Sequence, residues 1–162
     1  MFIMSKFTVK TANADAEAII EEFLDALEAM NLVRILNVWH DHGVQVMPYS
    51  PEGFPTRLEG KAAISHKYGT LVAEYKSMRI PDRFFHFTHD SNCIWVEYRG
   101  EIQIKATGQS YQNTYVCLFT LRDDRIIECK EYSNPIILLK AFGNPKIFRK
   151  NFGKSPKKQS SG

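Results

Sequence analysis

The sequence predicts a single-domain α+β fold: a cone-shaped roll in which a curved, mostly antiparallel sheet wraps around a long N-terminal helix. Three observations carry this expectation. Apolar residues recur at helical spacing in the first half, the pattern changes to strand-like runs from Pro81 onward, and helices and strands do not take turns as they do in a doubly wound fold. A chain of 162 residues, 44% apolar and 12% aromatic, can bury one core of ordinary size and has no room for a second domain. The cone domain is expected over residues 12–143, followed by a basic tail over 144–162.

Asn13 or Asp15 can cap the first helix, along which Ile20, Phe23, Leu24, Leu27 and Met30 follow a helical period, with acids early where the helix dipole favours them. Asn31 interrupts it. Leu32, Ile35, Leu36 and Trp39 predict a short second helix before Asp41-His42-Gly43 turns the chain into a strand over 44–49. Pro48, Pro51, Gly53 and Pro55 mark a loop, and Gly60 precedes a third helix with an apolar face of Ile64, Tyr68, Leu71, Val72 and Tyr75. Residues 83–88, 93–104 and 111–132 are rich in aromatic and β-branched side chains, so they read as strands. His89-Asp90-Ser91-Asn92 and Ala106-Thr107-Gly108 separate them, and the last run is a hairpin turning at Arg122-Asp123-Asp124-Arg125. Asn134-Pro135 stops the sheet and starts a short helix over 136–142, closed by Gly143.

Composition narrows the function classes. The apolar runs are far shorter than the roughly 20 residues of a spanning helix, and Met1-Phe2-Ile3-Met4 is too short for a signal-peptide core, so a soluble cytoplasmic protein with no membrane partner is expected. Cys93, Cys117 and Cys129 are odd in number, lie in strand-like runs and lack a C-x-x-C spacing; reduced core thiols are expected. The formal charge of +3 hides an asymmetry. No acid follows Glu131, whereas seven cations do, and without them fourteen cations face eighteen acids. Such a tail can touch nucleic acid or an anionic surface, but no nucleic-acid motif accompanies it and a solvated terminus is the plainer reading.

Glu131 stands out. In Ile126-Ile127-Glu128-Cys129-Lys130-Glu131, alternation places Ile127, Cys129 and Glu131 on one face and Glu128 and Lys130 on the other. A face chosen for burial by isoleucine and cysteine therefore receives a carboxylate, which must be hydrogen-bonded, paired or protonated there. Such a group is a candidate general acid or base.

The order of elements, with Gly-x-Ser-Tyr-Gln-Asn-Thr-Tyr at 108–115, Phe119-Thr-Leu-Arg-Asp-Asp-Arg-Ile126, Lys130-Glu131-Tyr132, Asn134, and Leu138-Leu139-Lys140-Ala141-Phe142-Gly143, resembles the nuclear transport factor two-like superfamily. Within it the chain is similar to SnoaL-like proteins, and most to the phenazine biosynthesis A/B group, over roughly residues 16–143. The resemblance implies that Glu131 lies in the active site and that two chains pair through the outer face of the sheet. This chain also departs from the pattern it resembles. Counted from Gly60, the family's helix histidine falls on Lys67 and the serine four residues later on Leu71. The ketosteroid isomerases' aspartate before a proline falls on Met47, and their protonated aspartate approximately on Cys117.

Around Glu131, alternation on the preceding strand adds Asn113, Tyr115 and Cys117, which offer an amide, a phenol and a small thiol to a ligand. The plainer reading makes Tyr115 core and Asn113 a satisfied buried amide. Trp39, Met47 and Trp95 suit the walls of an apolar pocket, or simply the core. Lys67 can pair with Glu131, bind an anionic group, or serve as an amine if desolvated; His66 is expected on the opposite side of its helix. His40-Asp41-His42 has no third histidine at useful spacing, so no metal is expected. Gly-x-Ser-x-Gly, Gly-x-Gly-x-x-Gly and phosphate-loop motifs are absent from the sequence. The expected function is binding, and acid-base conversion, of a small, largely apolar carbonyl compound without metal or organic cofactor. A non-enzymatic carrier or interaction module is the rival.

Overall fold

The computed structural model describes residues 3–142, with side chains from residue 13. Helix α1 spans Ile3–Glu28. It starts earlier than expected: Asn13 and Asp15 lie inside it, because nothing between Phe7 and Asn13 is glycine or proline. Ala16, Ile20, Phe23, Leu24 and Leu27 bury one face of it. Phe23 is the hub, meeting Trp39, Tyr68 and Phe119 edge-on at ring separations of 6.0, 5.7 and 5.8 Å.

The chain leaves α1 through Met30 at φ 48° and enters helix α2, Leu32–Asn37. Asn31 caps α2, its Oδ1 accepting from the Arg34 amide at 3.1 Å. Trp39 belongs to strand β1, Trp39–Val46, and not to the helix end where helical spacing had placed it. Strand β2, Arg57–Glu59, lies in the stretch expected to be loop. Helix α3, Gly60–Glu74, opens at Gly60 with φ 81° and buries Ile64 and Tyr68. Strand β3, Tyr75–Arg79, was hidden because Tyr75 continued the helical period of α3. Strands β4, Arg83–Phe87, β5, Cys93–Ile104, β6, Ser110–Arg122, and β7, Arg125–Ser133, match the expected runs, and helix α4 covers Pro135–Phe142. Gly143, expected to close the last helix, and the expected basic tail lie outside the described residues.

The sheet order is β2-β1-β7-β6-β5-β3, with β4 on a second stretch of β5. Among the described residues only the β1–β7 pair is parallel. The β6–β7 turn holds Asp123 and Asp124 at φ 51° and 54°, the two left-handed positions of a tight hairpin. This α+β roll is the fold class the sequence predicts. One irregularity moves side chains: the β6–β7 register shifts beside Ile126, so Ile126 is fully buried and Ile127 half-buried. Alternation had assigned Ile127 inward. Beyond the shift, Cys129 pairs with Phe119 and Glu131 with Cys117, and these four face the helix side.

Candidate functional site

The inner surface of the sheet, α3, the loop after β1 and α4 enclose a cavity of about 130 Å³. Leu71, Met78, Ile80 and Ile102 supply apolar wall, and five buried or half-buried tyrosines, Tyr68, Tyr75, Tyr98, Tyr111 and Tyr115, bring their rings to it, with the exposed Tyr49 at its rim. Burial pushes all five phenols above their ordinary range, and the Glu131 charge pushes in the same direction. They are neutral hydrogen-bonding groups at physiological pH.

Glu131 reaches this cavity from β7. Its Oε2 accepts from Gln45 Nε2 at 2.9 Å and stands 3.6 Å from Lys67 Nζ. Gln45, on β1, is fully buried, and its Oε1 accepts from Tyr68 Oη at 3.2 Å. A chain of donors thus runs from Tyr68 through Gln45 to the carboxylate. Lys67 also approaches Met47 Sδ at 3.6 Å and the Tyr68 ring at 5.2 Å, a cation over an aromatic face. Both contacts to the carboxylate use Oε2. Glu131 Oε1 has no hydrogen-bond partner among the described residues and is free for a ligand.

The other expected site residues divide. Met47 and Tyr115 line the cavity. Asn113 does not: its Nδ2 donates to Tyr111 Oη and the Asn134 carbonyl, each at 3.1 Å, and its Oδ1 accepts from the Asn134 and Thr114 amides. It is the satisfied buried amide of the plainer reading and reaches the cavity only through Tyr111. Cys117 is fully buried behind the wall, its Sγ 3.6 Å from Tyr98 Oη. Trp39 packs in the core against Phe23, with its indole N–H unpartnered among the described residues. Trp95 lies on the other face of the sheet, because inward positions of β5 fall on Ile94, Val96 and Tyr98; its ring meets Tyr132 at 6.2 Å. His66, expected on the far side of α3, borders the cavity at its exposed rim. Cys93, Cys117 and Cys129 are free thiols, Cys93 only half-buried. In His40-Asp41-His42, Asp41 pairs with Lys61 and His40 Nδ1 accepts from the His42 amide.

Gln45, Tyr68, Tyr75, Tyr98 and Tyr111 are site residues that the sequence reading passed over. Alternation carried a signal for three of them: Gln45 shares a face with Met47, Tyr98 with Val96, and Tyr111 with Asn113 and Tyr115.

A roll of this topology, with a carboxylate and buried phenols at its cavity, is a nuclear transport factor two-like protein. The SnoaL-like domain profile matches residues 20–129, and the chain belongs to that family. An uncharacterised PhzA/B-like protein of Pseudomonas aeruginosa is 28% identical over 122 residues, 75% of this chain and 86% of that protein. A solved structure from Bacillus subtilis, described as a candidate isomerase, superposes with a TM-score of 0.76 at 26% identity, covering 82% of this chain and 95% of that one. A phenazine biosynthesis-related protein of Pseudomonas aeruginosa superposes at 0.72 with 18% identity, over 83% of this chain and 88% of its own. The likeness to the phenazine biosynthesis A/B group read from the sequence is borne out. No helix among the described residues is long and apolar enough to cross a membrane.

Proposed function

We propose that this protein binds a small, largely apolar carbonyl compound in the cone cavity and converts it by acid-base chemistry at Glu131, as an isomerase, cyclase or condensing enzyme does. The observation that carries this reading is the carboxylate itself: it is fixed through Oε2 by Gln45 and Lys67 and presents Oε1, without a partner among the described residues, at an apolar, tyrosine-lined cavity. A carbonyl makes a neighbouring C–H acidic. Glu131 takes that proton, the electrons move onto the carbonyl oxygen as an enolate, and the protonated Glu131 returns the proton to the same or another carbon. Lys67 compensates negative charge throughout. The isomerase description of the Bacillus subtilis relative agrees with a proton-transfer role. A cavity of about 130 Å³ favours one compact ring system, since an apolar void of roughly 150 Å³ takes benzene.

The test needs no knowledge of the natural substrate. With 2-indanone, an apolar bicycle whose ketone activates adjacent C–H bonds, the protein in D2O accelerates deuterium incorporation beside the carbonyl over buffer. E131Q keeps binding and loses the acceleration. Equal exchange by wild type and E131Q sinks the catalytic reading, and binding without any exchange moves the protein to the carrier class. We also place the expected homodimer contact on the outer sheet face, where the Trp95 and Tyr132 rings meet beside half-buried Val116 and Leu118.

A further inference from the structure

We infer that Tyr111 is the hydrogen-bond donor that docks an acceptor oxygen of the ligand, at a point of the cavity wall separate from Glu131. This assignment rests on reading the cavity as the ligand site. The donors and acceptors around one buried hydroxyl carry it. Tyr111 is only 3% exposed and lines the cavity. Its Oη accepts twice, from Asn113 Nδ2 at 3.1 Å and from Tyr115 Oη at 3.0 Å. Both lone-pair directions are thereby used, and the remaining capacity of the hydroxyl is its own proton. Among the described residues that proton has no acceptor. A buried donor left unmade is costly, so a site built this way is completed by a ligand oxygen.

The surroundings fix the group rather than leaving it to rotate. Asn113 is itself held by both polar atoms of the Asn134 backbone, so the amide that feeds Tyr111 cannot turn. The Tyr111 ring meets Phe142 of α4 edge-on at 5.3 Å, and the Tyr115 ring is stacked on Tyr98 at 5.1 Å. Accepting two hydrogen bonds polarises an O–H and strengthens it as a donor. Tyr98 is the rival, since among the described residues its hydroxyl has no oxygen acceptor for its proton, but its one partner is the weakly bonding Cys117 Sγ at 3.6 Å. Burial raises the Tyr111 phenol while its bonds from Tyr115 and Asn113 oppose that rise, so it remains a neutral donor.

Position then describes the ligand. Glu131 pairs across the sheet with Cys117, six residues along β6 from Tyr111. Both side chains reach the same cavity, close enough for the Glu131 charge to add to burial in raising the Tyr111 phenol, so one compact ligand can touch both. The ligand is therefore bifunctional, with an acceptor oxygen such as a ketone, ester or carboxylate at Tyr111 and the carbon that exchanges its proton at Glu131.

Acetophenone labelled with 13C at the carbonyl tests the assignment. Bound to the wild-type protein, its carbonyl stretch moves to lower frequency, and Y111F abolishes the displacement and weakens binding about 3- to 10-fold, the loss of one neutral hydrogen bond. Y115F, which leaves the Tyr111 proton but removes one of its supports, gives a smaller displacement and keeps the assignment testable if Y111F does not fold. E131Q leaves the displacement intact. A displacement unchanged in Y111F, or removed by Y98F or E131Q instead, overturns the Tyr111 assignment while leaving the cavity reading standing. Failure of both acetophenone and 2-indanone to bind the wild type overturns both.

Discussion

Glu131 costs little in this fold because its neighbours were placed for it. Gln45 spends its amide on Glu131 and its carbonyl on Tyr68, so a single fully buried side chain satisfies two polar groups. Q45L keeps the volume and strips both partners; a loss of about 2–4 kcal/mol is expected in urea denaturation, from two buried groups left unsatisfied. Gly100 is a second pressure point. A Cβ there would stand 2.9 Å from Cε2 of Tyr115, closer than side chains pack. G100A must displace that ring, costing about 1–3 kcal/mol as overpacking does, and weakening acetophenone binding because Tyr115 supports Tyr111. Thermal unfolding and the carbonyl frequency measured on the same variant separate the two effects.

Among the elements, α1 is tied to its surroundings by charge as well as by Phe23. Arg83 of β4 reaches Glu21, Asp25 and Glu28 on α1, and Glu22 takes both Arg34 Nε and Nη2 at 2.8 Å in a bidentate pair. The Arg34 hydrogen bond holds the Glu22 carboxyl below its ordinary value. A depressed carboxyl contributes stability above its unfolded value and loses it as pH falls through the folded one. Wild type and R34M should thus differ at neutral pH and converge as pH drops below the ordinary glutamate range, with added salt shrinking the gap. Urea midpoints across that range check this. The same scale shows what alternation misses. Trp39 was assigned to a helix and Ile127 to the core because each fits a local period, yet the β1–β7 and β6–β7 registers both shift near Ile126. A register shift is set by the neighbouring strand, so a single strand's pattern does not contain it.

For the whole molecule, one surface of the sheet builds the cavity and the other carries Trp95, Leu118, Lys130 and Tyr132. If that outer face joins two chains, W95K should turn a dimer into a monomer in sedimentation velocity while leaving 2-indanone exchange per chain intact. A wild-type monomer would remove the outer face from the interface role. The inward and outward faces are thereby separable in experiment.

The sequence by itself determined the α+β class, the long strands β5 to β7 with their turn, and the inward direction of Glu131, because these depend on period, turn chemistry and propensity within a few residues. It also brought forward Lys67 as a partner for that carboxylate. Only the tertiary structure decided that Gln45 and Tyr68 complete the carboxylate's support, that Asn113 and Cys117 stand behind the wall and not in it, and that Trp95 faces outward. Those outcomes depend on which residues of distant strands and helices meet. Gln45 and Glu131 are 86 residues apart in the chain and 2.9 Å apart in the fold, and no local pattern encodes that distance.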